Sequence, residues 1–257
     1  MNLGLDGKRC IVTGASQGIG EAIAEHFLEE NADVFIVSRG SEQLFKTEQR
    51  LQSRFGRPRV QALTCDCTDI NDLETLKDKV EQHWGGVDIV VANIGDGRSV
   101  PDPLPGAMQW KKTWDNNFES ALFTARTFLT LLQESKGCLL FVSSITAMEA
   151  IGAPVDYSTA KTAVAALAKN MARKLAREVR VNVLAPGNVN FPGGSWDEKI
   201  KKDSKRVEQI IEDTVPMNRF GTPDEMADAA VFLCSDRAKF ITGSIMVVDG
   251  GQTVGVF

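Results

Sequence analysis

This sequence of 257 residues contains few histidines, and its cysteines are not spaced in pairs. Its 2 histidines and 5 cysteines show none of the paired spacings that ligate zinc, so no metal centre is expected. An odd number of cysteines also argues against a disulfide framework. The cysteines lie in or beside apolar segments, which predicts reduced thiols that pack as small hydrophobic side chains.

Positive charge is also in deficit, with 29 Lys and Arg residues against 34 Asp and Glu residues and a formal charge of −5. Nucleic-acid-binding proteins usually carry a basic excess, so no nucleic acid is expected as a partner. No apolar run approaches the ~20 residues that cross a bilayer, so no membrane association is expected. Residues 1–9 lack the apolar core of a signal peptide, which favours a cytoplasmic location.

Short apolar runs alternate with longer amphipathic segments along the whole chain. This alternation is typical of βαβ units built around a parallel sheet. It predicts an α/β fold, a single-domain Rossmann-type doubly wound parallel sheet of about seven strands with helices on both faces, spanning residues 1–257. The predicted strands are 9–13, 34–38, 60–65, 87–92, 138–143, 180–184 and 245–249. Residues 95–106 are expected to form an irregular loop, and residues 110–133 a single helix.

The first predicted strand leads into a glycine-rich turn that opens a helix. Glycines let the backbone approach a pyrophosphate closely, and a helix N-terminus offers free N–H groups and a positive dipole end. The spacing Gly-x-x-x-Gly-x-Gly, placed within a strand–turn–helix unit, therefore predicts a dinucleotide site. The residues expected to bind the cofactor here are Gly14, Ser16, Gln17, Gly18, Ile19 and Gly20.

The end of the second strand distinguishes the two nicotinamide dinucleotides. An acidic residue there would bind the ribose 2′-hydroxyl of NAD, whereas an arginine accommodates the 2′-phosphate of NADP. The chain has Ser38 and Arg39 at this place, with no carboxylate before Glu42. A guanidinium can grip a phosphate with two parallel hydrogen bonds. NADP(H) is therefore the favoured cofactor, and NAD(H) is the alternative.

Tyr157 is the only tyrosine of the chain, and Lys161 follows it by four residues on a predicted helix. Residues at this spacing project from the same helix face, so that a phenol and an ammonium share one site. A neighbouring cation favours the phenolate and should lower the tyrosine pKa from about 10. The spacing also arises by chance, but the nucleotide turn and Ser144, after the fifth strand, favour a catalytic group.

Together these motifs resemble those of the compact branch of the short-chain dehydrogenase/reductase family, and are similar to 3-oxoacyl-acyl-carrier-protein reductases. The resemblance covers nearly the whole chain and adds Asn117 as the fourth catalytic residue. It also implies further cofactor contacts after the third, fourth and sixth strands and in the catalytic helix. These are Asp66, Cys67, Asn93, Ile94, Gly95, Tyr157, Lys161, Pro186, Gly187 and Val189.

The resemblance implies reversible hydride transfer between a nicotinamide and a ketone or secondary alcohol. Tyr157 would be the general acid/base, and Ser144 would stabilise charge that develops on the substrate oxygen. Lys161 would lower the pKa of the tyrosine and hold the ribose hydroxyls. Asn117 would position a water that relays protons from the lysine to solvent.

The substrate is less clearly indicated than the cofactor. The irregular, charged stretch 190–216 is expected to form a mobile lid over the cofactor and substrate. The residues expected to contact a small-molecule or carrier-linked substrate are Ser144, Glu149, Tyr157 and Phe191. Phe191 and Ile94 also depart from the family pattern, which has threonine and alanine at these places.

Two helices that look apolar on more than one side suggest an oligomer. Family members commonly pair these helices, so a homotetramer or homodimer is expected. Two other functions remain open, a sugar- or sugar-nucleotide-modifying dehydrogenase that uses NAD(H) and a non-catalytic regulator that senses NADP. A regulator has no need of Tyr157 and Lys161, and both are present. The sequence indicates neither the identity of the substrate nor the direction of the reaction.

Overall fold

A computed structural model describes residues 2–256 of the chain. The seven strands are β1 (Arg9–Thr13), β2 (Asp33–Ser38), β3 (Val60–Thr64), β4 (Ile89–Ala92), β5 (Cys138–Val142), β6 (Arg180–Pro186) and β7 (Ile245–Val248). They form one parallel sheet in the order β3-β2-β1-β4-β5-β6-β7. The α/β class and the seven parallel strands predicted from the hydrophobic pattern are confirmed.

Helices cover both faces of this sheet, as the sequence predicted. They are α1 (Gly18–Glu29), α2 (Ser41–Phe55), α3 (Ile70–Trp84), α4 (Ala107–Trp114), α5 (Ser120–Ser135), α6 (Val155–Leu175), α7 (Ser195–Lys202), α8 (Ser204–Thr214) and α9 (Pro223–Cys234). One core cluster contains side chains of α1, α2 and α9. A second cluster contains side chains of α3, α5 and α6.

The strands form because their apolar side chains alternate between these two clusters. In β1, Val12 belongs to the first cluster and Ile11 to the second, and neither is exposed. Successive side chains of a strand point to opposite faces, so a strand covered by helices on both faces is apolar without interruption. Each fully buried aliphatic side chain contributes about 1.5–3 kcal/mol to this packing.

Side-chain caps fix where several helices begin. Asp69 precedes α3 and accepts a hydrogen bond from the Asn71 N–H at 2.8 Å. Thr222 and Glu225 form a capping box at the start of α9, where Pro223 is the first helical residue. Each such cap satisfies a backbone N–H that has no partner inside the helix.

Two regions differ from the sequence-based prediction. The expected irregular lid contains the helices α7 and α8, because Asp203 caps α8 at the Arg206 N–H and two residues at helical spacing, Val207 and Ile211, are buried. The single helix predicted from residue 110 begins at Ala107 instead, and a π-helical turn at 115–119 separates α4 from α5.

The sheet topology determines where a ligand can bind. β1 and β4 are neighbours, but the chain passes through β2 and β3 between them. Where the strand order reverses in this way, the connections diverge and leave a crevice at the carboxyl ends of the strands. None of the helices within residues 2–256 is long and apolar enough to cross a membrane.

Candidate active site

A cavity of about 430 Å³ opens at this carboxyl edge of the sheet. The glycine turn, the ends of β2, β4, β5 and β6, and the first turns of α6 and α7 line it. Most of the residues expected from the sequence to bind cofactor or substrate lie on its wall. These are Gly14, Ser16, Gln17, Ile19, Gly20, Ser38, Arg39, Asn93, Ile94, Gly95, Ser144, Tyr157, Lys161, Pro186, Gly187, Val189 and Phe191.

The glycine turn is held tightly against β4. Asn93 donates hydrogen bonds through Nδ2 to the carbonyls of Thr13 at 3.0 Å and Gly14 at 3.2 Å. A Cβ atom on Gly20 would lie 2.4 Å from the Gly14 carbonyl oxygen, so only glycine permits this approach. Gln17 precedes α1 without a capping hydrogen bond from its side chain. The first N–H groups of α1 are thus left for an anion, and the turn fits a pyrophosphate.

Arg39 supplies positive charge at the end of β2. Its Nη1 donates a hydrogen bond to Asn116 Oδ1 at 3.2 Å, and the side chain lines the cavity. Ser38 is buried and donates its hydroxyl to the Gly40 carbonyl at 3.2 Å. Among the residues that the structure describes, Asp96 is the only acidic one on the cavity wall. This end of the site fits a 2′-phosphate better than a free 2′-hydroxyl.

Tyr157 and Ser144 meet at the floor of the cavity. Tyr157 is half-buried in the first turn of α6, and Ser144 lies just after β5. Burial raises the pKa of Tyr157, and the charge of Asp96 adds to this effect, while the nearby Ser144 hydroxyl opposes it. The sequence predicted a lowered pKa through Lys161. That prediction is not met here, because the lysine ammonium lies 5.9 Å from the ring centroid and is bound elsewhere.

Lys161 is nearly inaccessible, with 3% of its surface exposed. Its Nζ donates a hydrogen bond to the Val142 carbonyl at 3.0 Å, and burial lowers its pKa to about 8. Gly95 packs against the ammonium, and a Cβ atom there would lie 2.6 Å from Nζ. Ser143 donates its hydroxyl to the Lys161 carbonyl at 2.9 Å, which binds β5 to α6. The position of the ammonium therefore depends on the end of β5 and on one glycine.

Asn117 lies in the π-helical turn, fully buried and behind the cavity wall. Its Oδ1 accepts a hydrogen bond from the Asp96 N–H at 3.0 Å, and its Nδ2 donates to the carbonyls of Asp96 at 3.1 Å and Thr113 at 2.9 Å. The amide thus holds Asp96 of the loop after β4 through its oxygen and one N–H group, while its other N–H group bonds Thr113 of α4. We refer to residues 93–106 as the β4–α4 loop.

Phe191 and Gly18 meet beside the glycine turn. A Cβ atom on Gly18 would lie 2.6 Å from the Phe191 ring, and Gly18 itself is not on the cavity wall. Phe191 therefore lines the cavity next to the glycine turn. It occupies this place because it follows Val189 by two residues in extended backbone that pairs with Gly221.

Three further expected residues do not line the cavity. Cys67 is fully buried in the second core cluster. The Asp66 side chain binds a neighbouring residue, since its Oδ1 accepts hydrogen bonds from the Thr68 N–H at 3.0 Å and the Thr68 hydroxyl at 2.8 Å. Glu149, expected to contact substrate, instead accepts hydrogen bonds from the N–H groups of Val254 and Gly255. Residues 254 and 255 thus lie against the Glu149 carboxylate. The residues that neighbour Glu149 in the sequence do not indicate this contact.

Three residues of the β4–α4 loop line the cavity although the sequence did not single them out as site residues, namely Asp96, Gly97 and Arg98. Arg98 donates hydrogen bonds to both carboxylate oxygens of Glu198, at 3.1 and 2.8 Å, and to the Gly193 carbonyl at 3.0 Å. These contacts join the loop to α7. The sequence did not indicate these contacts, because the loop is rich in glycine and no local pattern relates residues that are 100 positions apart.

This chain is similar to known proteins over nearly its whole length. A sequence model of the family described as enoyl-(acyl carrier protein) reductase matches residues 14–253. Short-chain dehydrogenase/reductase SDRA of Arabidopsis thaliana is 33% identical over 250 residues, which cover 96% of this chain and 95% of that protein. The 3-oxoacyl-[acyl-carrier-protein] reductase of Thermotoga maritima is 27% identical, over 97% of this chain and 99% of its own length.

The similarity extends to solved structures. L-sorbose reductase from Gluconobacter frateurii, complexed with NADPH and L-sorbose, matches with a TM-score of 0.93 at 29% identity. The match covers 100% of both chains.

Proposed function

The chain belongs to the short-chain dehydrogenase/reductase family and is an oxidoreductase of CH–OH and C=O groups, and on this premise we propose that it is an NADP(H)-dependent carbonyl reductase. One observation supports the proposal most directly. Ser144, Tyr157 and Lys161 line the same cavity as the glycine turn, so a group that transfers a proton lies beside the place for a dinucleotide.

Tyr157 is the general acid of the proposed reaction. The dinucleotide, when bound, supplies the hydride. The phenol of Tyr157 is protonated at neutral pH, as the donation of a proton to a carbonyl oxygen requires. Ser144 stabilises the negative charge that develops on that oxygen. Lys161 lies on the same cavity wall, where its ammonium would hold the ribose hydroxyls of the bound dinucleotide.

Arg39 makes NADP(H) the preferred cofactor in this proposal. Replacing it with alanine removes a charge-assisted hydrogen bond to the 2′-phosphate, worth about 1.5–3 kcal/mol, so KM for NADPH should rise about 10- to 100-fold. KM for NADH should hardly change. Arg57→Ala is the matched control, because Arg57 is exposed and lies outside the cavity. Equal effects of Arg39→Ala on both cofactors would contradict the preference.

The substrate we propose is a small hydroxyketone. The cavity wall that contains Tyr157 also carries Asp96 and Arg98, and such polar groups can hold substrate hydroxyls. The NADPH and L-sorbose complex of a protein that matches this chain over its full length supports this choice. The 3-oxoacyl-carrier reductase of Thermotoga maritima supports a carrier-linked ketone as the alternative.

Oxidation of NADPH, followed by absorbance with ketoses, hydroxyketones and 3-oxoacyl thioesters, tests the proposal. We expect turnover with at least one ketone class, and Tyr157→Phe should bind NADPH normally while it loses turnover by at least about 100-fold. Binding is measured by fluorescence titration of NADPH. Substantial turnover by Tyr157→Phe would reject the role of the phenol, and NADPH binding without turnover of any ketone by the wild type would favour a sensor.

A further inference from the structure

The β4–α4 loop is bound to the start of α6 through a buried carboxylate. Asp156 directly precedes Tyr157, and only 1% of its surface is exposed. Its Oδ2 accepts a hydrogen bond from Ser99 Oγ of the loop at 2.6 Å. Its Oδ1 accepts one from the Tyr157 N–H at 2.9 Å. One carboxylate thus contacts both the loop and the residue that carries the phenol.

Two residues of α4 complete this network. Gln109 donates to the Ser99 hydroxyl at 3.2 Å and to the Thr113 hydroxyl at 3.0 Å. Burial by itself would raise the pKa of Asp156, but the hydrogen bonds that its carboxylate accepts outweigh it and lower the pKa. The group is therefore ionised at neutral pH.

A buried charge of this kind is not needed for packing. Removing a carboxylate from water is costly unless hydrogen bonds replace the lost hydration, and an apolar side chain would fill the same space at less cost. The first turn of α6 lessens the cost, because the N-terminal end of a helix favours negative charge. The arrangement orients both partners of the carboxylate, which an apolar contact would not do.

The bond between Asp156 and Ser99 affects the phenol of Tyr157 through Gly97, which packs on its ring. A Cβ position on Gly97 lies 3.8 Å from the Tyr157 ring, and Ser99 follows two residues later. A shift of Ser99 would therefore move the backbone that packs on the phenol. We infer that Asp156 is a positioning residue, which acts through Ser99 to set the β4–α4 loop against Tyr157 and so sets where the substrate carbonyl lies. The inference rests on the proposed function and deepens it.

Asp156→Asn, Ser99→Ala and the double variant test this role. Each single change should lower kcat/KM for the ketone about 10- to 100-fold, the range expected for losing a hydrogen bond to a charged group. KM for NADPH should stay within about twofold, since the glycine turn and Arg39 make no contact with Asp156. The double variant should lose no more than Asp156→Asn alone, because both changes remove the same bond.

Asp69→Asn is the matched control. Asp69 also bonds the backbone at a helix start, but it lies outside the cavity and the loop. Its variant should keep both kcat/KM and the wild-type melting temperature, since asparagine caps a helix about as well as aspartate. An equal loss of kcat/KM in Asp69→Asn, or additive losses in the double variant, would overturn the inference.

Hydrogen exchange measured by mass spectrometry gives a second readout that needs no turnover. Amide exchange in residues 95–106 should be faster in Asp156→Asn and Ser99→Ala than in the wild type, and unchanged in Asp69→Asn. Unchanged exchange in Asp156→Asn would overturn the positioning role even if activity falls. If the wild type shows no turnover with any ketone, the proposed function fails, and the exchange experiment still decides whether Asp156 holds the loop.

Discussion

Gly95→Ala is the smallest change that should disturb the proposed chemistry. The added Cβ atom would lie 2.6 Å from Lys161 Nζ, 3.2 Å from Lys161 Cε and 3.1 Å from Asn117 Oδ1. Side chains do not tolerate contacts this short, so the lysine must move. Its ammonium would then lose the 3.0 Å hydrogen bond to the Val142 carbonyl and its place beside Tyr157.

The expected magnitude follows from these contacts. A hydrogen bond to a charged group contributes about 1.5–3 kcal/mol, and an extra methyl group in a packed interior destabilises the fold by about 1–3 kcal/mol. Since about 1.4 kcal/mol in a barrier is a factor of ten in rate, kcat should fall about 10- to 100-fold. The melting temperature should fall as well, by several degrees for a chain of this size.

Oxidation of NADPH with a saturating ketone measures kcat, and circular dichroism at the assay temperature confirms that the variant is folded. Gly106→Ala is the matched control, because no heavy atom lies within 4 Å of its Cβ position and its φ is −60°. That control should behave as the wild type. A folded Gly95→Ala variant that keeps kcat within about twofold would refute the requirement for the ammonium at this place.

Three further predictions follow from the charges of the structure. Burial lowers the pKa of Lys161 from 10.5 to about 8, so the unfolded state binds more protons between these values. In denaturant titrations, the difference in free energy of unfolding between the wild type and Lys161→Met should therefore shift in favour of the wild type by up to about 3 kcal/mol from pH 8 to 10.5. Asp88→Ala should lower the free energy of unfolding by about 2–3 kcal/mol at pH 7, because three hydrogen bonds from Arg9 reach this carboxylate. The Arg9 bonds hold the pKa of Asp88 below its usual value although burial opposes them, so the difference should shrink as the pH falls below about 4, and a constant difference would contradict it. Arg98→Ala should raise KM for the ketone by only about two- to fivefold, since its ion pair with Glu198 is exposed, and Glu198→Gln should add little to it in steady-state kinetics.

The features that the sequence predicted correctly depend on residues close together in the chain. The glycine turn was recognised because strand, turn and helix follow one another within residues 9–29. Tyr157 and Lys161 were predicted to share a site because four residues make about one helical turn, and both line the cavity. The family inferred from these motifs is confirmed by the match over residues 14–253.

The features that were missed or misplaced depend on residues far apart in the chain. Glu149 was expected to meet substrate, but it binds backbone N–H groups 105 and 106 positions later. Asp156 and Ser99 are 57 positions apart, and no periodic pattern relates them. The pKa of Tyr157 was predicted from its helical neighbour alone. The pKa is raised instead, because it also depends on burial and on the charge of Asp96, which belongs to another part of the chain.

The amino-acid sequence by itself determined the order of strands and helices along the chain, the position of the glycine turn and the spacing that places Tyr157 and Lys161 in one site. These properties follow from hydrophobic periodicity and from the backbone freedom of glycine, which act over a few residues. The tertiary structure alone decided which polar groups are buried, which carboxylate faces the phenol and where the lysine ammonium lies. Burial and charge act through space, so they are defined only when the sheet brings distant segments to one edge.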